Sequence, residues 1–113
     1  MNKKAIGSKW EAAAREYIKM CGYKILCCNY QCSIGEIDII AQEQKTMVFI
    51  EVKFRSSGRY GTAIEAVDNR KQQKIRQVAA YFLITTYHTE SIPCRFDVLG
   101  FDNENITYIK NAF

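Results

Sequence analysis

Glu36, Asp38, Glu51 and Lys53 are the residues of this chain whose types and spacing could do chemistry together. They sit in Gly35-Glu36-Ile37-Asp38 and Glu51-Val52-Lys53, two segments that alternate with period two, as strands do. In the first, Glu36, Asp38 and Ile40 share one face while Ile37, Ile39 and Ala41 share the other. In the second, Met47, Phe49, Glu51, Lys53 and Arg55 alternate with Val48, Ile50, Val52 and Phe54. So short a connection permits only an antiparallel hairpin, and a turn centred between Gln44 and Lys45 sets Asp38 opposite Glu51 and Glu36 opposite Lys53. Opposed residues hold their Cβ atoms about 4.5–5.5 Å apart, so two carboxylates could share a hard divalent cation at oxygen distances of about 2.1 Å. A shift of register by two residues keeps these faces, and a shift by one destroys them. A plainer reading also stands: an exposed polar patch with cross-strand ion pairs worth about a few tenths of a kcal/mol.

The elements needed to hold such a hairpin are legible around it. Trp10, Ala13, Ala14, Tyr17, Ile18 and Cys21 make one apolar helical stripe, which Gly22 can terminate in the left-handed conformation. Tyr23 to Cys32 is rich in β-branched, aromatic and cysteine residues and fits a strand. Arg55 to Gly61 reads as a loop. Asp68 is a plausible N-cap for a second helix with the stripe Ile75, Val78, Ala79, Phe82 and Leu83. Pro93 restarts an extended segment over Arg95 to Phe101, and Asn103-Glu104-Asn105 turns into a last strand from Ile106 to Lys110. Apolar-faced strands need cover and each helix offers one stripe, so the expected class is α/β, a mixed sheet flanked by helices. The strand after the second helix should pair parallel with a central strand through a right-handed crossover.

At 113 residues the chain is expected to form a single domain, 1–113, around one core. Lys and Arg number 16 against 12 Asp and Glu, a net charge of +4 that points only weakly to a polyanionic partner. Met1-Asn2-Lys3-Lys4 is basic, but charged residues follow it in place of an apolar h-region, and no run reaches a membrane span. A cytoplasmic protein without a membrane partner is the expectation. Cys21, Cys27, Cys28, Cys32 and Cys94 lack CxxC spacing and read as reduced thiols. Zinc is the competing reading of this cluster, against which adjacent Cys27 and Cys28 would point to opposite faces of a strand. A glycine-rich phosphate loop and a Ser or Cys nucleophile pattern around His88 are both missing, which argues against ATP dependence and triad hydrolases.

Gly35-Glu36-Ile37-Asp38 followed by Glu51-Val52-Lys53 resembles the metal-dependent nuclease signature in which an Asp precedes an ExK triplet. The wider set is Trp10-Glu11 and Ala14, Gly22-Tyr23, Gly35 to Ala41, Val48 to Arg55, Lys71 with Ala80-Tyr81, Arg95-Phe96-Asp97-Val98 and Asn111-Ala112-Phe113. This set resembles the YraN-like family of small bacterial proteins across nearly the whole chain. The resemblance implies a restriction-endonuclease-like αβββαβ core, related to Holliday-junction resolvases. It implies Asp38 and Glu51 as metal ligands together with the Val52 carbonyl, for Mg²⁺ or, in its place, Mn²⁺. Lys53 would then orient the attacking water or stabilise charge on the phosphate. Glu11 matches the acid such nucleases carry on their first helix, as a ligand directly or through water. Ser8-Lys9-Trp10-Glu11 fits a capping box equally well, with Ser8 as N-cap.

Lys71 and Lys74 at the start of the second helix, with Arg55 and Arg59 before it, could grip phosphates of a nucleic acid. A basic helix start is unfavourable for the macrodipole, and a bound phosphate would relieve that cost. Glu36 reads best as an ion-pair partner of Lys53, a second metal being its other role. Tyr60 could stack on a base or simply close its loop, while Tyr17, Tyr81 and Phe82 read as core. Asp97 reads as a partner for a neighbouring basic side chain. The function expected from the resemblance is a Mg²⁺-dependent endonuclease acting on DNA, structured or damaged. A non-catalytic nucleic-acid-binding module or accessory subunit with the same fold, and a structural interaction protein, are the alternatives. Likeness to resolvases adds a two-fold homodimer, because paired cuts in a symmetric junction need two sites.

Overall fold

The structure, a computed structural model, describes residues 3–55, 67–102 and 105–113, with side chains described from Trp10 to Phe54 in the first stretch. Helix α1 (Lys3–Met20) turns Trp10, Ala13, Ala14, Tyr17 and Ile18 toward the sheet, the stripe expected from their spacing. It stops where Gly22 takes φ 87 and donates its N–H to the Lys19 carbonyl at 2.9 Å. Cys21 falls beyond the helix and is exposed. The helix begins earlier than its apolar stripe. Ser8 lies inside it, so Ser8 is not an N-cap and the capping-box reading of Glu11 is overturned. Extending a nucleated helix through Gly7 and Ser8 costs far less than starting a new one, which is why a plausible cap residue failed to mark the start.

Strands β1 (Lys24–Gln31), β2 (Glu36–Glu43) and β3 (Thr46–Arg55) follow, then helix α2 (Asn69–Tyr87) and strands β4 (Cys94–Asp102) and β5 (Asn105–Ile109). They form one five-stranded sheet in the order β1-β2-β3-β4-β5. Neighbours are antiparallel except β3 and β4, which are parallel, as expected for a strand that returns after a helical crossover. The αβββαβ order is present, and a mixed sheet between two helices is compatible with a restriction-endonuclease-like core.

Each helix covers one face of the sheet. Against α1 lie Ile39, Ala41, Val48, Ile50, Leu99 and Phe101. Against α2 lie Ile37, Ile40, Met47, Phe49, Phe96 and Val98. Central strands buried on both sides read as continuous apolar runs, which explains Met47-Val48-Phe49-Ile50. Helix α2 buries its whole expected stripe, Ile75, Val78, Ala79, Phe82 and Leu83, and is capped by Asp68, which accepts the Lys71 N–H at 2.9 Å. Tyr81, expected in the core, is 43% exposed because it lies off that stripe. Cys27 packs toward α2 while Cys28 borders a hollow toward α1, so the adjacent thiols do face apart.

Asp97 is fully buried in β4. It accepts Arg95 Nε at 3.0 Å, the Asn111 N–H at 2.9 Å and the Tyr108 hydroxyl. Arg95 reaches on to Glu43 at 2.7 Å and to the Tyr23 hydroxyl at 2.8 Å, tying β2, β4, β5 and the residue that precedes β1 together. Asp97 and these hydrogen bonds hold the Arg95 guanidinium above its ordinary range, while burial and Asp97 hold the Tyr108 hydroxyl above its own. Asp97 is thus the ion-pair partner its strand setting suggested. Removing one member of a buried pair strands the other, so Asp97→Ala should cost about 3–5 kcal/mol in urea unfolding. A loss below about 1 kcal/mol would show that Arg95 finds water instead.

Candidate metal centre

The hairpin has the register its turn implied. β2 and β3 pair from Glu43 with Thr46 to Ile39 with Ile50, around Gln44 at φ 55. Pairing ends there, although β2 begins at Glu36 and β3 runs on beside β4 to Arg55. The Val52 N–H therefore goes to Oδ2 of Asp38 at 2.8 Å. In an extended strand one residue's N–H and C=O face the same neighbour, so the Val52 carbonyl is directed to that edge as well.

The other side of β2 is irregular at the same level. β1 pairs Cys28 with Ile39 and Tyr30 with Ile37, and between them Asn29 adopts φ 54 opposite Asp38. Asparagine tolerates this left-handed conformation better than most residues. The expected alternation of β2 breaks here: Ile37 joins Ile40 on the α2 side, whereas Ile39 and Ala41 face α1. Asp38 is the residue at which the strand changes faces.

Glu51 is 6% exposed, and its Oε1 accepts Lys71 Nζ at 2.8 Å and Lys53 Nζ at 3.4 Å. Lys53 was expected to pair with Glu36 across the hairpin. Because the ladder stops at Ile50, Lys53 turns to Glu51 on its own strand, and Glu36 accepts from Gln31 at 3.2 Å. Burial, then the neighbouring Lys71 ammonium, lowers the Lys53 pKa. Burial is the largest single influence on Lys71 and works against its charge, but the contacts with Glu51 and Lys53 and the charges of Glu51 and Asp38 together outweigh it and leave that pKa raised. Asp38 is pushed up from the ordinary 3.8 to about 6, chiefly by burial and then by the charge of Glu51, against the pull of the Val52 N–H.

Two separate hollows lie at this end of the sheet. Toward α1 a cavity of about 300 Å³ is bordered by Trp10, Glu11, Arg15, Asn29, Asp38 and Phe54, with Val52 in its wall. Toward α2 a smaller cleft of about 190 Å³ is bordered by Gly35, Glu36, Glu51, Lys71 and Lys74. Asp38 and Glu51 thus border different hollows and are joined through the Val52 backbone. A side chain at Gly35 would put its Cβ 3.3 Å from Lys74 Cγ and 3.4 Å from Val78, so glycine lets the start of β2 lie against α2.

Glu11 is exposed and shares the larger cavity with Asp38. Lys71 reaches Glu51, and Lys74 borders the cleft. Arg55 ends β3 with its side chain outside the described residues, and Arg59 and Tyr60 lie wholly outside them. The contact of Lys71 with Glu51 and the placement of Asn29 beside Asp38 were missed from sequence. A helix-start lysine four residues before a buried stripe residue and an asparagine inside a strand were the only signals.

The donor set suits a hard cation: two carboxylates and a backbone carbonyl, with Asp38 Oδ1 free of hydrogen bonds among the described residues. Among the described residues no three His, Cys, Asp or Glu side chains cluster closely enough to hold a metal by themselves. Mg²⁺ requires no such cluster, since it keeps several waters and is commonly bound through one or two carboxylates. A carboxyl that keeps its proton to higher pH in the folded chain stabilises the fold below the ordinary 3.8, and that contribution is lost as pH rises through about 6. In EDTA, Asp38→Asn should therefore be more stable than the parent near pH 7.5, with the gap closing by about pH 4 in urea unfolding. A gap independent of pH would remove the buried, charge-opposed Asp38.

Comparison with known proteins places the chain in a family. Residues 10–101 match the model of the family described as uncharacterised protein family UPF0102. A UPF0102 protein of Lachnoclostridium phytofermentans is 46% identical over 113 residues, covering 100% of this chain and 96% of that one. One of Desulforamulus reducens is 45% identical, covering 99% and 98%. One of Caldicellulosiruptor saccharolyticus is 42% identical with both chains covered in full (100% and 100%). The chain belongs to uncharacterised protein family UPF0102, the YraN-like family that its ordered set of residues resembles.

Proposed function

We propose that this protein is a Mg²⁺- or Mn²⁺-dependent endonuclease that hydrolyses phosphodiester bonds of DNA. The observation that carries the reading is the end of the β2–β3 hairpin, where Asp38 accepts the Val52 N–H and Glu51, the residue before Val52, takes Lys53 and Lys71. Asp38, Glu51 and the Val52 carbonyl would hold the cation, with Glu11 contributing from across the larger cavity. When bound, it supplies positive charge against the scissile phosphate and makes a water easier to deprotonate. Lys53, its proton loosened by burial and by Lys71, would donate a hydrogen bond to the attacking water or to the non-bridging oxygen on which charge develops. Lys71 and Lys74 flank the cleft on the α2 side, where they would hold neighbouring phosphates and set the strand in line. The site lies at the carboxyl ends of the parallel pair β3 and β4, where open α/β sheets commonly bind ligands.

One observation favours a second reading, a DNA-binding module without turnover. Lys71 and Lys53 already neutralise Glu51. Salt-sensitive binding that survives EDTA and yields no products would select it.

Purified protein in Mn²⁺ or Mg²⁺ should nick branched or single-stranded DNA, and Asp38→Asn and Lys53→Ala should each lower the rate about 100-fold or more while keeping the fold. Undiminished cutting by both variants would refute the assignment. Lys71 competes with any cation for Glu51 Oε1, so Lys71→Met should bind Mn²⁺ several-fold more tightly than the parent by titration calorimetry. Unchanged or weaker binding would mean that the ammonium does not hold the site.

A further inference from the structure

The larger cavity is built unlike a place for a phosphate. Trp10 and Phe54 form one wall, their ring centroids 4.5 Å apart, and Trp10 is braced from behind by Phe101 at 4.9 Å. Phe54 is 43% exposed, a large apolar ring left facing water beside a cluster of charged groups. Glu11, Arg15, Asn29 and Asp38 border the same space. They offer carboxylate acceptors, guanidinium donors and an amide that does both. An aromatic wall with a mixed donor and acceptor rim matches a flat heterocycle with a polar edge, and a volume of about 300 Å³ accommodates one. Asp38 borders this cavity and also takes the Val52 N–H, so an occupant would lie next to the proposed reaction centre.

We infer that the cavity receives the base of an unpaired DNA nucleotide adjoining the scissile phosphate, stacked on the wall formed by Trp10 and Phe54. The inference rests on the nuclease reading for the position of the phosphate and adds the substrate class. A base inside a duplex is stacked and paired and would have to be extruded first. Bulged, branched or single-stranded DNA presents one without that cost. The charged rim fixes the base edge, and the rings supply a stacking term that any base can satisfy.

Trp10 is the one tryptophan of the chain, so its fluorescence reports on this cavity alone. In EDTA, which prevents cleavage, the protein is titrated with three DNA duplexes: one with a single bulged base, the same with an abasic residue at the bulge, and one fully paired. Quenching of Trp10 should saturate with the bulged base, and the abasic and paired duplexes should bind about tenfold or more weakly by anisotropy. Phe54→Ala, a change at an exposed side chain, should bring the bulged duplex down to the abasic one while leaving the paired duplex unchanged. Equal affinity for all three duplexes, or tight binding of the bulged base with Trp10 unaltered, overturns the base pocket. If Mn²⁺-dependent cutting persists in that case, the nuclease reading survives it. If none of the three duplexes binds, the base pocket falls, and the nuclease reading falls with it where Mn²⁺-dependent cutting is absent too.

Discussion

The hydrogen bond from the Val52 N–H to the Asp38 carboxylate is the interaction on which the rest of this site depends. Ordinary pairing would give that N–H to a carbonyl of β2 and point Asp38 along the face of the sheet. Pairing instead stops at Ile39 and Ile50, and a side chain fills the gap in the ladder. The buried donor is satisfied, as buried backbone groups must be, and an ionisable group is held between the strands. The αL turn of Asn29 on the far side lets β1 follow this detour without losing its own pairing with β2. An otherwise regular sheet is locally bent to place one carboxylate.

That placement has an electrostatic cost which the neighbourhood offsets. Burial first, and then the charge of nearby Glu51, disfavour ionisation of Asp38, whose pKa is raised. Lys53 from the same strand and Lys71 from the opposing helix settle on Glu51 and balance the charge. Helix α2 serves the fold through Ile75 and Val78 and the site through Lys71, one turn from the buried stripe, so neither role can shift without the other. Gly35 keeps that helix close to the start of β2.

Most of the architecture could be read from residue order, because both helical stripes and both strands of the hairpin keep their periods. The turn at Gln44 and Lys45 set the register from Glu43 with Thr46 to Ile39 with Ile50, whereas the expected opposition of Asp38 and Glu51 lies beyond the last paired residues. Local rules failed where tertiary context overrode them. Ser8 looked like a cap, yet the helix ran through it. Strict alternation assigned Ile37 to the wrong face, because nothing local shows that Asp38 will bond sideways to the backbone of a neighbouring strand. Lys53 and Glu36 looked opposed, and would have paired had the ladder continued. Asp97 was easier, since Arg95 stands two residues away on the same face of its strand.

Membership of uncharacterised protein family UPF0102 is established, whereas the chemistry of the site is proposed from its geometry. Among the described residues no helix is long and apolar enough to cross a membrane. The nuclease assignment stands or falls on whether the bent end of the hairpin is a cation site. A crystal soaked in Mn²⁺, with data collected at the manganese absorption edge, tests it most directly. An anomalous peak in contact with Asp38, Glu51 and the Val52 carbonyl, with Lys71 withdrawn from Glu51, is the expected result. Manganese bound elsewhere, or Lys71 still seated on Glu51 at saturating metal, would contradict it.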